Sequence, residues 1–299
     1  MNILHDIKKS YDKNKTEVMS LEQYLTLLEG DKSVAATPAE RMLKAIGEPL
    51  MVDTAKDSKL RKLFGDRLIR TYPTFSDFFG MEEVVDRIVS FFKHAGQGLE
   101  ESRQILYLLG PVGSAKSSLA ERLKQLIESQ PIYVLSDSDG RMSPVFESPL
   151  GIMPTEYREK LGLANELVQM LPSPWATKRI DDYGGDLSQF KVVKVFPSRN
   201  KQIAICKTEP GDDNNQDISA LVGKLDIRKL EHFAQDDPDA YRYSGGLCLA
   251  NQGLLEFVEM FKAPIKILHP LLTATQEHNY KGTEALAAIP FNGVIVAHS

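Results

Sequence analysis

Residues 110–117 read Gly-Pro-Val-Gly-Ser-Ala-Lys-Ser, a pattern that suits a turn built to hold phosphate. Backbone N–H groups of such a turn, with the positive end of a following helix, face the β- and γ-phosphates of a nucleoside triphosphate. The Lys116 ammonium would add a full positive charge, and the Ser117 hydroxyl would ligate Mg²⁺. The candidate nucleotide-binding residues are thus Gly110, Pro111, Val112, Gly113, Ser114, Ala115, Lys116, Ser117 and Ser118. Lys116 is also a candidate catalytic residue, and Ser117 is the candidate metal ligand. The flanks agree with this reading. An apolar run, Gln104–Leu109, precedes the turn as a strand would, and Leu119, Leu123, Leu126 and Ile127 follow it at helical spacing.

Ala115 departs from G-x-x-x-x-G-K-[ST], since it stands where the second glycine is expected. A methyl group there narrows the approach of the backbone to a ligand, although alanine is the smallest replacement. The variant resembles the loops of MCM helicases and MoxR-type AAA+ ATPases.

Binding a nucleotide takes a phosphate loop; hydrolysis also needs an acid after a second strand, to orient water and support Mg²⁺. The best candidate lies in Ser244–Met260, SGGLCLANQGLLEFVEM. This stretch resembles the hairpin-and-strand segment of magnesium-chelatase and MoxR-like ATPases. In that resemblance Val258 takes the Asp position, Glu259 the catalytic Glu position, and Glu256 falls where the family has an aromatic residue. Strand alternation puts Leu255, Phe257 and Glu259 on one face and Glu256 on the other. With no acid at 258, weak or absent turnover is expected, with Glu259 positioning the water. An amphipathic helix over GLLEFVEMFK, both glutamates in solvent, is the competing reading.

These groups need elements to position them. SLEQYLTLLEG reads as a helix ending at Gly30, and Thr37-Pro38-Ala39-Glu40 as a capping box opening another. KLRKLFGDRLIRTYP reads as an amphipathic helix with a solvated basic face. A turn at Gly80 precedes a strongly amphipathic helix through Val84, Val85, Ile88, Val89 and Phe92. Asp77-Phe78-Phe79-Gly80 has the letters of a kinase motif at the wrong spacing. With no HRD-like loop and no G-x-G-x-x-G loop, an ordinary protein-kinase fold is excluded.

After the phosphate loop, PIYVL (131–135) reads as a second strand. A long stretch, 136–243, then follows as an insertion, with a helix around Tyr157–Met170, strands in FKVVKVF and QIAIC, and a solvated acidic run, EPGDDNNQD. IKILHPLLTATQE reads as a helix packed on the sheet. His269 and His278, near it, lack the partners of a metal site. GVIVA (293–297) reads as a buried parallel strand.

A chain of 299 residues with net charge −5 has room for a large core and no general electrostatic attraction to nucleic acid. Its two cysteines, Cys206 and Cys248, sit in apolar runs, as buried thiols of a reducing compartment would. No apolar stretch spans a bilayer, and MNILHDIKKSYDKNK lacks the core of a signal peptide. A cytoplasmic protein is expected.

Five segments together resemble the AAA+ domain of the bacterial PrkA-type serine protein kinases: RLIRTYPTFSDFFGMEE, QILYLLGPVGSAKSSLAERLK, SPVFESPLG, SGGLCLANQGLLEFVEMFKAPIKILHPLLTATQEHNYKGTE and IPFNGVIVAHS. The resemblance implies an α/β P-loop AAA+ three-layer sandwich with a mainly parallel sheet. Residues 1–72 would form an N-terminal helical region, and 73–299 the nucleotide-binding domain with its insertion. ATP and Mg²⁺ as ligands and a protein substrate are implied too, with possible homo-oligomers of the longer protein. The strand order 5-1-4-3-2 of such folds would leave the strand bearing the phosphate loop at an edge, with strand five, sensor, arginine finger and lid beyond residue 299. The isolated chain is expected to bind nucleotide without appreciable ATPase or kinase activity.

Overall fold

A computed structural model describes residues 15–163, 165–209, 218–283 and 287–299 of the chain. The acidic run from Pro210 to Asp217 and most of the N-terminal segment tested for a signal peptide lie outside these residues.

In chain order, strand β1 (Glu17–Ser20) leads into helix α1 (Leu21–Gly30) and helix α2 (Pro38–Ile46). A hairpin of β2 (Leu50–Asp53) and β3 (Leu68–Thr71) precedes α3 (Glu82–Gly96) and β4 (Leu106–Leu108). Next come α4 (Lys116–Ile127), β5 (Ile132–Ser136), α5 (Pro174–Asp182), β6 (Lys191–Val195) and β7 (Ile205–Thr208). A ribbon of β8 (Lys224–Leu225) and β9 (Tyr241–Arg242) is followed by β10 (Leu254–Val258) and α6 (Ile265–Glu277). A second ribbon, β11 (Asn279–Tyr280) with β12 (Ile289–Pro290), precedes β13 (Val294–His298).

The helix starts follow from local chemistry. Thr37 Oγ1 accepts from the Glu40 N–H, and the Glu40 carboxylate accepts from the Thr37 N–H at 2.7 Å, a reciprocal cap with Pro38 inside the first turn. Ser20 and Gln23 do the same for α1.

The central sheet is parallel, in the order β4-β13-β10-β7. Leu254, Val296 and Ile205 face a layer made by α2, α3 and α4, where Phe92, Leu119 and Leu123 are fully buried. Leu255, Phe257, Ile295 and Ala297 face the opposite layer, which contains α6. Fully burying a side chain such as Phe92 contributes about 2–3 kcal/mol. This is the three-layer α/β sandwich expected, with β4 at the edge of the sheet.

Three readings of the elements change. PIYVL does form a strand, but β5 pairs antiparallel with β6 in a separate sheet, β1-β6-β5. The fourth strand of the parallel sheet is β7, at ICKT, inside the stretch 136–243. KLRKLFGDRLIRTYP is a short helix, Ser58–Phe64, and then β3. Gly65 at φ 68 stops that helix, and Ile69 and Thr71 pair across to Val52 and Leu50. The helix expected around Tyr157–Met170 is two short ones, Thr155–Lys160 and Asn165–Val168.

Candidate nucleotide site

The register of the parallel sheet sets the site. Leu108, His298 and Val258 pair across three adjacent strands, so the residues after them leave from one rim. The 110–117 turn follows β4 there, Glu259 follows β10, and Ser299 follows β13. Ligands of open α/β sheets bind beyond such carboxyl ends.

In the turn, Lys116 Nζ donates to the carbonyl oxygens of Gly110 and Pro111, the latter at 2.8 Å, with Ser114 Oγ at 3.4 Å. Its charge is thus held over the loop. Ala115 sits in the left-handed region at φ 59, where alanine costs about 1–2 kcal/mol that glycine would avoid. A methyl on Gly110 would lie 2.7 Å from Ser114 Oγ, so a side chain there would force Ser114 to move. No side chain caps the twelve-residue α4, and Ser117 and Ser118 are exposed in its first turn. The first N–H groups of a helix have no acceptor within it. The turn therefore fits an anion: free N–H donors, one ammonium and an exposed hydroxyl converge. Val112 at the tip is fully exposed.

Glu259 lies one residue past the last ladder pair, at φ 51, so strand alternation stops short of it. Its carboxylate is paired with Lys262, and its N–H donates to the His298 carbonyl at 2.7 Å. Among the described residues it makes no hydrogen bond to the loop. The segment before it is a strand, which removes the helix reading of GLLEFVEMFK.

Glu256 occupies a position that sequence reasoning left without a role. Buried on the α4 face, it accepts from Lys124 Nζ at 2.5 Å and contacts His298 Nε2 at 2.9 Å. The available signal was an acid in the middle of an apolar strand, since such a group requires a partner when buried. Nearby, Asn251 uses its whole amide. Nδ2 donates to the Val145 and Pro290 carbonyls, and Oδ1 accepts from the Gln252 and Asn292 N–H groups. This fixes the turn into β10. Cys206 and Cys248 are buried, and burial pushes the Cys248 thiol up to about 12.

Sheet order, phosphate-type turn and strand–turn–helix connection define an AAA-type P-loop domain. The PrkA AAA domain matches residues 19–299, and the chain belongs to that family. The serine/threonine kinase YeaG of Escherichia coli (strain K12) is 59% identical over 304 residues, spanning 100% of this chain and 47% of that protein. The ATP-dependent protease PrkA of Bacillus subtilis (strain 168) is 32% identical over 309 residues, 98% of this chain and 46% of that one. The chain thus spans about half the length of the curated relatives it matches. A chain in the cryo-EM-based complex of magnesium-chelatase subunits BchI and BchD aligns at TM-score 0.44 with 16% identity, covering 72% of this chain and 50% of that one. Among the described residues no helix is long and apolar enough to cross a membrane.

Proposed function

We propose that the chain is the ATP-binding AAA+ module of a serine protein kinase, taking ATP and Mg²⁺ on residues 110–118 and serving an activity on a protein substrate. The observation that carries this reading is Lys116, folded onto the Gly110 and Pro111 carbonyls above the uncapped start of α4. The N–H groups of that turn and of Lys116, Ser117 and Ser118 hold the phosphates, with Lys116 swinging from the carbonyls to the β- and γ-oxygens. Ser117 holds Mg²⁺, which neutralises phosphate charge when bound. Glu259 orients a water at the same rim, and Val258 in place of an acid keeps turnover weak. In this reading 73–299 is the nucleotide-binding domain, 136–243 holds an elaboration together with strand β7 of its sheet, and 1–72 is an N-terminal region. Two buried thiols suit the reducing cytoplasm.

The kinase half rests on the name of the 59% identical relative. A second reading, a MoxR-like remodelling ATPase acting on a protein client, is favoured by the protease name of the other relative. Both names imply ATP. A non-hydrolysing ATP switch is the third reading, and ATP-dependent oligomerisation without turnover would support it.

The test is calorimetry of a non-hydrolysable ATP analogue with Mg²⁺ on this chain and on Lys116→Ala. Loss of at least about 1.4 kcal/mol, tenfold in affinity, is expected. Equal binding by both proteins rejects the site. Transfer of labelled phosphate from ATP to serine, by the full-length protein, then separates the kinase from the remodelling reading.

A further inference from the structure

A cleft of about 490 Å³ opens between the turn after β5, helix α5 and the Tyr241–Ser244 segment. None of residues 110–118 lines it, so it is separate from the phosphate loop. Its volume falls within the roughly 300–1,000 Å³ of ligand-binding clefts.

The walls have two chemistries. Trp175, Pro144, Met142 and Leu249 supply apolar surface, and the Arg179 guanidinium lies 4.4 Å from the Trp175 ring centroid. Around them, Arg141, Arg179, Lys229 and Arg242 meet only two acids, Asp137 and Asp239. Both acids are already engaged. Asp239 is bonded by Lys178 and Arg179, each at 2.7 Å, and Asp137 Oδ1 accepts the N–H groups of Asp139 and Arg141. The cations at the mouth are not so engaged. Arg242 is exposed and has no carboxylate partner among the described residues, and Arg141 meets only Asp139, at 3.7 Å with both side chains largely in solvent. The cleft is a cationic, aromatic-walled site on a chain whose net charge is −5.

We propose that this cleft docks an acidic peptide segment of a protein partner. Carboxylates of the segment pair with Arg141 and Arg242, whose planar guanidinium groups match them in bidentate geometry. One apolar or aromatic side chain lies against the wall made by Trp175 and Pro144, the combination of aromatic and arginine anchors that dominates interface energetics. The occupant is acidic because Arg242 has no carboxylate partner among the described residues and Arg141 has only a distant, solvent-exposed one, and it is a side-chain-bearing chain because the floor is apolar. The proposal deepens, and so rests on, the protein-substrate half of the reading above.

Trp175 is the sole tryptophan of the chain, so its emission reports on this cleft directly. The chain, without nucleotide, is titrated with the peptide acetyl-Glu-Glu-Phe-Glu-Glu-amide. A saturable change in emission is expected. It should weaken about tenfold or more in Arg141→Glu plus Arg242→Glu, and likewise in about 0.5 M salt, where exposed charges are screened. Both arginines are exposed, and a thermal melt confirms that the double variant stays folded. Lys116→Ala should bind the peptide as the parent chain does, so that failure at the nucleotide site and failure here read out separately. No change in emission overturns the proposal. So does equal affinity for the Lys-Lys-Phe-Lys-Lys counterpart, undiminished binding by the double variant, or saturation by a uridine oligonucleotide and not by the peptide.

Discussion

Lys124 Nζ lies 2.5 Å from Glu256 Oε2, with the two side chains 4% and 2% exposed. The pair joins the underside of the phosphate-loop helix to the middle of β10, and His298 adds a third contact from the neighbouring strand. Removing Glu256 leaves buried Lys124 with only the part-exposed Glu121, and removing Lys124 leaves buried Glu256 with only His298, at a cost of up to about 3–5 kcal/mol. Glu256→Ala and Lys124→Ala should each lower the unfolding free energy measured in urea by up to that much. The apolar pair Lys124→Met with Glu256→Leu should be more stable than either single variant. If both singles melt with the parent, the pair carries no such role.

Ala115 holds a left-handed backbone that glycine adopts without cost. Ala115→Gly should change stability by less than about 1 kcal/mol, because relief of strain is offset by a floppier unfolded chain. Ala115→Val puts a β-branched residue at positive φ and should lose about 2 kcal/mol or more, with reduced nucleotide affinity. Thermal melts and calorimetry on the three proteins decide this.

Glu259 is half-exposed at the rim and, among the described residues, paired only with Lys262 and the backbone. Glu259→Gln should leave ATP-analogue affinity within about twofold. It should abolish what phosphate release the chain has, since a positioned base typically contributes 10²–10⁴-fold. A drop in affinity with unchanged release would contradict the role proposed for it.

Burial alone would raise the Asp239 carboxyl, but hydrogen bonds and charge from Lys178 and Arg179 outweigh that and hold it below its ordinary 3.8. A depressed carboxylate stabilises the fold above its unfolded value, and that contribution is lost as pH falls through the folded one. Stability should therefore drop below about pH 4. Asp239→Asn should cost on the order of 1 kcal/mol at pH 7 and show a shallower acid limb. Urea denaturation at pH 7 and pH 3 measures both.

What was legible in the sequence is what is settled locally. The reciprocal caps at Thr37–Glu40 close within four residues, and the 104–127 strand, turn and helix carry their own periodicities. Sheet membership is not local. PIYVL and KVVKV both read as strands, but nothing in either says that Ile132 pairs with Val195 while Leu254 pairs with Ile205. Glu256 was hidden for a related reason, because its partners Lys124 and His298 come from helix and strand far along the chain. Glu259 shows the limit of alternation, since the ladder ends at Val258 and a left-handed residue redirects the chain.

Strand β4 is three residues long and, among the described residues, pairs only with β13, whereas β13 is held by β4 on one side and β10 on the other. Opening a segment costs least where fewest ladder bonds hold it. The 110–117 turn thus hangs from the least restrained strand of its sheet. Amide exchange should be fast at Leu106–Leu108 and slow at Val294–His298.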